Sequence, residues 1–453
     1  MRSAFFLIAA TALAAPAWAQ QADPPSAAPA AFWQSLQDTT LERLIGQALE
    51  ANHDLRAVEA RVRGARATRV GAALDLAPTI TASGGYSRQR LASASFPGAA
   101  GRLPDQDVWD AGVQMSWELD VFGRLRRSLQ GQNALLASAE EDVRDVEVLL
   151  TAEVASAYFD MRGAQDRLAV ARRNAENQRR TLQLTQDRLE LGRGNALDTE
   201  RAQAQLSSTL ATIPSLEAEI SALQHRIGVL LGRPPASVVE ELSNAACAPT
   251  LPAQLNVDNA EELIRQRPDV RSAERQVAAS SAFVGAAKAD YLPRVSIGAV
   301  AGYTASAFDA LGNSGTPRYA IGPVLSWPLL DLGRVKTRVD EARAGQLQAE
   351  ARFQQRVLSA HEEAETSLTA YHRSRERLEH LDDAAVASER ATELARLRFE
   401  GGATGFLEVL DSERTLLEAE DRLALGRREA TSLLVSVYRA LGGGLTLPAE
   451  GSR

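Results

Sequence analysis

The chain of 453 residues carries 50 Lys and Arg against 58 Asp and Glu, a net charge of −8, with the two signs interspersed. This balance predicts no basic face of the kind that binds nucleic acid. The single cysteine, Cys247, cannot form an internal disulfide, and the abundance of Ala, Leu, Glu, Arg and Gln predicts long helices.

Residues 1–19 predict a secretory signal peptide. They combine one basic residue, an apolar core and a small-residue cleavage signal at Ala17-Trp18-Ala19. An uncleaved membrane anchor is the alternative, but the apolar core is short and rich in alanine. No cysteine lies near the cleavage site, so we expect an exported protein without a lipid anchor, which begins with an N-terminal extension at 20–40.

The rest of the chain predicts a tandem duplication. "DLRAVEARV" at 54–62 is echoed by "DVRSAERQV" at 269–277, and "SWELDVFGRLRRS" at 116–128 by "SWPLLDLGRVKTR" at 326–338. The second offset, about 210 residues, persists without a gap for over a hundred residues. We therefore expect the following units: a first repeat at 41–235, a linker or equatorial segment at 236–260, a second repeat at 261–444, and a tail at 445–453.

Each repeat contains a long stretch without proline, at Asp105–Ile213 and at Leu329–Leu447. In the first stretch, apolar residues recur at spacings of three and four, which is a heptad pattern. One helix over 125–190 spans roughly 100 Å at a rise of 1.5 Å per residue. Taken alone, this pattern fits a soluble coiled-coil rod equally well.

Four alternating segments favour an outer-membrane barrel instead. We expect strands at about 79–90, 107–117, 294–305 and 318–327, with apolar residues on one face and small or polar residues on the other. Aromatic residues on these strands predict girdles at the two membrane interfaces: Tyr86, Trp109, Trp117, Tyr303, Tyr319 and Trp327. Pro323 lacks a backbone donor, so we expect irregular pairing around it.

A soluble β-sandwich shows the same alternation in a single strand, but four such strands beside rod-length helices argue against it. Four strands cannot close a barrel, and an open sheet edge cannot lie in lipid. Two copies give eight strands, and side chains fill the interior of a barrel of that size. The small residues expected on the inner face suit a wider pore. A homotrimer with twelve strands is therefore favoured.

Several motifs resemble those of the TolC-like outer-membrane efflux protein family, closest to its NodT/OprM-type branch. They are "WELDVFGRLRR", "AEVASAYFDMR", "RLELGRGNALD" and "LEVLDSERTLLEAE", in family order along nearly the whole mature chain. The resemblance implies an α+β membrane protein: a trimeric, twelve-stranded barrel continued by a long periplasmic α-helical coiled-coil barrel with an equatorial domain. Many members of the branch begin with a lipidated cysteine, and this chain does not.

The resemblance also implies a function and its partners. Such proteins are gated, passive exit ducts in the outer membrane, and they dock to a periplasmic adaptor and an inner-membrane RND-type transporter. An exit duct for type I protein secretion has the same architecture and remains an alternative. A soluble periplasmic coiled-coil scaffold is an alternative of another class.

A periplasmic gate is implied at the second-repeat helices. By motif alignment, Asp411 supplies a ring carboxylate and Leu407 an apolar constriction one turn away, while Arg414 can pair with a carboxylate. The alternative is a solvated helix face with an ordinary ion pair. Glycines fit the turns at the helix tips: Gly192, Gly194, Gly401, Gly402 and Gly405.

The duplicated strand-to-helix turns contain an aspartate and a glycine, Asp120 with Gly123 and then Asp331 with Gly333. Asp120 is placed to cap the helix that follows it. Asp331 lies one position later in the aligned repeat, which predicts that the two helices are capped at different heights.

Enzymatic function is not predicted. "HEEAE" at 361–365 lacks the second histidine of a zinc-protease helix, and no cofactor or metal site is expected. The resemblance implies conduction and not catalysis.

Overall fold

The computed structural model of the protein describes residues 32–34, 36–92, 102–243, 252, 255 and 260–444. The predicted signal peptide, most of the N-terminal extension, Cys247 and the C-terminal tail lie outside these residues. Much of the predicted linker also lies outside them.

Long helices dominate the described chain. The third and seventh contain 67 and 69 residues, roughly 100 Å each, and the predicted helix over 125–190 is confirmed. The helices are α1 Thr39–Ala51, α2 His53–Leu74, α3 Arg124–Glu190, α4 Ala196–Leu230, α5 Ala260–Gln266, α6 Pro268–Ala289, α7 Leu332–Glu400 and α8 Phe406–Ala440. Within the described ranges, none of these helices is both long enough and apolar enough to cross a bilayer.

The strands form one antiparallel sheet in chain order. They are β1 Thr79–Gln89, β2 Gln106–Leu119, β3 Arg294–Ala305 and β4 Pro317–Ser326. All four predicted strands are present, although Trp327 follows β4 and does not belong to it. The irregularity expected at Pro323 is wrong for the β3–β4 pairing, in which Pro323 lies opposite Ile297 in an unbroken register. Within the single chain β4 is an edge strand, where proline is tolerated.

The order of elements repeats within the chain. A helix, two antiparallel strands and two long helices follow one another as α2–β1–β2–α3–α4 and again as α6–β3–β4–α7–α8. Because every sheet connection to a helix leaves from the same end of the strands, the helices all lie at one end of the sheet. The other end carries the β1–β2 and β3–β4 loops.

The largest apolar core lies midway along the long helices. Tyr158, Tyr371 and Tyr438 are fully buried there, and the ring centroids of Trp33 and Tyr438 are 4.7 Å apart. The Tyr158 hydroxyl donates to Asp38 at 2.8 Å, which joins the start of α1 to the middle of α3. This core fixes the positions from which the sheet and the helix tips extend.

Candidate functional site

The two faces of the sheet have opposite chemistry. Paired residues share a face, so the register assigns every strand residue to a side. One face carries Ile80, Ala82, Gly84 and Tyr86 of β1, Trp109, Ala111, Val113, Met115, Trp117 and Leu119 of β2, Val295, Ile297, Ala299, Ala301, Tyr303 and Ala305 of β3, and Pro317, Tyr319, Ile321, Pro323 and Leu325 of β4. Arg88 of β1 and Asp107 of β2 lie on the same face at its loop end. The opposite face is mainly Gly, Ser, Thr and Gln, with a few charged residues.

Aromatic side chains on the apolar face lie toward both ends of the strands. At the loop end, the ring centroids of Tyr86 and Trp109 are 4.6 Å apart, and Phe308 lies 5.2 Å from Trp109. Phe308 was missed by the sequence analysis because it belongs to a short 3-10 turn without alternation. Tyr303 and Tyr319 lie on the loop-side half of their strands.

At the helix end, the two repeat-related tryptophans make the same contact. The Trp117 indole N–H donates to the Leu76 carbonyl at 2.9 Å, and the Trp327 indole N–H donates to the Tyr291 carbonyl at 3.1 Å. Each accepting carbonyl lies in the turn between a helix and a strand. These bonds fix the level at which the sheet meets the helices in both repeats.

The first strand-to-helix turn is capped by Asp120. Its carboxylate accepts the backbone N–H groups of Leu125 and Arg126 at 3.0 and 2.9 Å, and Gly123 adopts a φ of 79°. Partial burial opposes ionisation of Asp120, but the two backbone donors and the Arg126 guanidinium outweigh it and hold the pKa below its usual range.

The second strand-to-helix turn differs from the first. Asp331 makes no capping bond and pairs instead with Arg334 at 3.3 Å. Gly333, aligned with Gly123, is the second residue of α7 and does not form the turn. In the aligned repeats, α7 begins two positions earlier than α3, at Leu332. Gly123 and Gly333 are therefore equivalent in sequence but differ in backbone conformation.

This difference between repeats predicts unequal effects of two matched substitutions. Asp120→Ala removes the acceptor of two helix N–H groups, and we expect a loss of about 1 kcal/mol of stability. Asp331→Ala removes only an exposed ion pair, for which less than about 0.5 kcal/mol is expected. Thermal unfolding followed by circular dichroism measures both, and a larger drop in Tm for Asp331→Ala contradicts the assignment.

The two helix-to-helix turns at the far tips share one geometry. Gly192 and Gly402 have φ values of 66° and 73°, a region that favours glycine. Each donates to a carbonyl three residues earlier at 3.0 Å. A Cβ on Gly194 would lie 2.6 Å from the Leu189 nitrogen. Gly401 ends α7 with an ordinary negative φ, and Gly405 precedes α8.

The proposed gate residues share one face of α8. Leu407, Asp411 and Arg414 are exposed, at spacings of four and three that align them along the helix. Arg414 pairs with Glu418 at 3.4 Å within the protomer. The opposite face is buried and carries Phe406, Val409, Glu413 and Leu416. Leu407, Asp411 and Arg414 are therefore left uncovered by their own chain.

A buried carboxylate holds this helix in place. Glu413 is 3% exposed and accepts bonds from the Thr181 hydroxyl of α3 at 2.7 Å and from the Arg396 guanidinium of α7 at 2.8 and 3.0 Å. Sequence analysis missed it, although a glutamate on the apolar stripe of α8 is a detectable signal. Glu413 thus joins three helices on the side of α8 opposite Leu407, Asp411 and Arg414.

Arg188 ties the two tips together. Its guanidinium donates to the Phe399 carbonyl at 2.9 Å and lies 4.0 Å from the centroid of the Phe399 ring. A cation at the C-terminal end of a helix interacts favourably with its dipole. This contact connects the end of α3 with the end of α7.

A polar cluster lies midway along the helices, around a cavity of about 190 Å³. Arg267 is nearly buried, donates to Asp269 at 2.8 and 3.0 Å and to Glu363 at 2.8 Å, and also binds the Ala440 carbonyl. Asp145 lines the same cavity, where burial and then the charge of Asp269 raise its pKa to about 6. In the described part of the chain, no group of His, Cys, Asp and Glu is arranged to hold a metal ion.

The raised pKa of Asp145 predicts a pH-dependent effect on stability. The unfolded chain loses this proton near the ordinary pKa of 3.8 and the folded chain only near pH 6, so Asp145 costs stability progressively between these two pH values and by its full amount above them. Asp145→Asn is expected to add roughly 1–2 kcal/mol at pH 7.5, after allowance for partial exposure. The gain should shrink as the pH falls from about 6 to 4.

Asp269→Asn is the matched control. Burial opposes ionisation of Asp269, but Arg267 outweighs it and lowers the pKa, so this variant should lose stability at pH 7.5. Thermal unfolding at pH 7.5 and 4.5 separates the two residues. An equal effect of Asp145→Asn at both pH values contradicts the prediction.

A model of the outer membrane efflux protein family matches the chain twice, over residues 44–233 and 259–443. The chain belongs to the outer membrane efflux protein family. The two matches also confirm the duplication and the resemblance seen in the motifs.

Individual relatives agree with this family assignment. The chain is 30% identical over 421 residues to Nodulation protein T of Rhizobium leguminosarum bv. trifolii, covering 91% of this chain and 88% of the relative. It is 31% identical over 419 residues to the toluene efflux pump outer membrane protein TtgF of Pseudomonas putida, covering 91% and 85%. The outer-membrane channel OprN is 39% identical, with a TM-score of 0.87 and 92% of each chain covered.

Proposed function

We propose that three copies of this outer membrane efflux protein form a twelve-stranded barrel continued by a periplasmic tunnel, the exit duct of a tripartite efflux system. The observation that carries the proposal is the four-stranded sheet, apolar on one face and polar on the other, with β1 and β4 at open edges. In lipid such edges need strand partners. A neighbouring copy supplies them when its β1 pairs with β4.

The apolar face fits the hydrocarbon layer of the outer membrane. Trp109 and Trp117 are eight residues apart on β2, about 27 Å along the strand. The strand tilt of outer-membrane barrels shortens this to roughly 20 Å across the membrane, within an apolar band about 25 Å tall. We assign Tyr86, Trp109, Tyr303 and Tyr319 to the outer girdle, and Trp117 and Trp327 to the periplasmic one. The barrel then holds the protein in the outer membrane without a lipid anchor, in keeping with the absence of cysteine at the predicted cleavage site.

The helical end is assigned to the periplasm, where its tips meet a periplasmic adaptor that connects to an inner-membrane RND-type transporter. The tips extend far from the sheet on α3, α4, α7 and α8, and the name of TtgF describes a pump component. The duct itself conducts and performs no catalysis.

The gate is assigned to the exposed face of α8. In a trimer, three copies of Asp411 facing the tunnel axis form a negative ring, which favours cations. Leu407 lies one turn closer to the tip and supplies an apolar constriction. Arg414 carries a positive charge one turn away and is held by Glu418.

The test of this function is an assembly and conduction experiment. We expect the protein in the outer-membrane fraction, a detergent-solubilised mass of three protomers, and cation-selective channels in planar bilayers. A monomer recovered with the soluble periplasm, as a coiled-coil scaffold would be, overturns the proposal. Loss of drug or solvent resistance on gene deletion, without loss of protein secretion, separates efflux from type I secretion.

A further inference from the structure

An ion pair spans three strands on the polar face of the sheet, near the loop end. The Arg318 guanidinium of β4 reaches Asp110 of β2, with Nη2 and Nε at 2.5 and 3.2 Å from Oδ1. The Thr304 hydroxyl of β3 donates to the same oxygen at 3.2 Å. The Asp110 carboxylate therefore accepts hydrogen bonds from β3 and from β4, the two strands that lie on the same side of β2.

The pair crosses β3 over a pair of glycines. Arg318 is in register with Gly302, and Gly302 is in register with Gly112. A Cβ on Gly112 would lie 2.7 Å from the Ala301 carbonyl oxygen, and one on Gly302 would overlap the Ala111 carbonyl. The two backbones approach so closely that neither position accepts a side chain, and the guanidinium has an unobstructed path.

Charge on this face is confined to the two ends of the strands. Among the described strand residues of the polar face, Glu118 and Arg294 lie at the helix end, where they pair with Arg124 and Asp290 respectively. Asp110 and Arg318 carry the charge at the loop end. Glycine, serine, threonine, glutamine, alanine and valine lie between the two levels.

Stabilisation of the sheet is a weak explanation for this pair. The side chains of Arg318 and Asp110 are 45% and 42% exposed, and ion pairs with such exposure contribute about 0–1 kcal/mol. The same exposure leaves both charges accessible to solutes in the lumen. Fixed charges along a water-filled passage raise or lower the local concentration of permeating ions.

We propose that three Asp110–Arg318 pairs form a charge-balanced ring at the extracellular exit, which removes discrimination by charge at this level of the channel. The inference rests on the proposed trimeric channel, because the polar face lines a lumen only in that assembly. Each guanidinium offsets one carboxylate, so the exit admits solutes of either sign. Removal of one partner leaves three like charges at the same level.

The test uses full-length trimers in planar bilayers with hexaamminecobalt(III) as a trivalent blocker. Arg318→Gln is expected to lower the blocking concentration on the order of tenfold, from one side of the bilayer only. Asp110→Asn is expected to weaken block from that side and shift the reversal potential toward anions. The double variant and Arg318→Lys should resemble the unaltered protein, because the ring then remains balanced.

Arg88→Gln is the matched control. Arg88 pairs with Asp105 at the same end of the sheet, but it shares the apolar face with Tyr86, so its loss should leave the block unchanged. Equal block in Arg318→Gln and unaltered trimers, or an equal shift in Arg88→Gln, overturns the inference while the channel function stands. Failure of the unaltered protein to form channels overturns both.

Discussion

Replacement of Glu413 by alanine is expected to loosen the helical tips and to raise the conductance of the closed channel several-fold. Thr181 and Arg396 both lose their common acceptor, and the cost of breaking a buried pair is typically about 3–5 kcal/mol. Because Arg396 is one-third exposed, water compensates in part, and roughly 2–4 kcal/mol is expected. Bilayer conductance and thermal unfolding measure the two effects.

Two further variants decide how Glu413 acts. Glu413→Gln keeps an oxygen acceptor for Thr181 but loses the charge that pairs with Arg396, so an intermediate loss is expected. Glu408→Ala removes a carboxylate from an exposed position in the first turn of the same helix. It should leave the conductance unchanged and cost less than about 1 kcal/mol, the contribution of an acidic residue at a helix N-terminus. If Glu413→Ala behaves like Glu408→Ala, the three-helix contact does not hold the tip closed.

The regular elements of this protein follow from local pattern. A proline-free stretch with heptad spacing predicted α3, and a second proline-free stretch contains α7, since nothing in either interrupts the backbone hydrogen bonds. Period-two alternation gave the four strands, because one face must match lipid while the other meets water. The turns at the helix tips could also be predicted, because Gly192 and Gly402 mark the positive φ that each turn requires.

Contacts between side chains that are far apart in the sequence could not be predicted from local pattern. Glu413 and Thr181 are 232 residues apart, and Asp110 and Arg318 are 208 apart, so their contacts depend on how helices and strands pack. The repeats also mislead where they diverge. Asp120 and Asp331 occur in similar motifs, yet only the first caps a helix, because α7 starts earlier and takes Gly333 into its first turn.

Asp411→Ala is expected to abolish most of the cation selectivity and to raise conductance through the closed state. Three carboxylates close together on the tunnel axis repel anions and concentrate cations, whereas alanine leaves a neutral and wider ring. Asp411 is exposed on α8, whereas Glu413 is buried within the protomer. The Asp411→Ala substitution should therefore leave the packing of the tip intact. The reversal potential in a salt gradient should move toward zero, with thermal stability changed by less than about 0.5 kcal/mol.

Asp187→Ala provides the comparison for Asp411 because it removes the same charge from an exposed site near the tip of α3. If Asp411 lies on the tunnel axis, only Asp411→Ala shifts the reversal potential, and the shift decreases as ionic strength rises because salt screens the ring. Equal shifts in both variants assign selectivity to the overall charge of the tip. Unchanged selectivity in Asp411→Ala removes this residue from the gate, and Leu407 then remains as the constriction to be tested by Leu407→Ala.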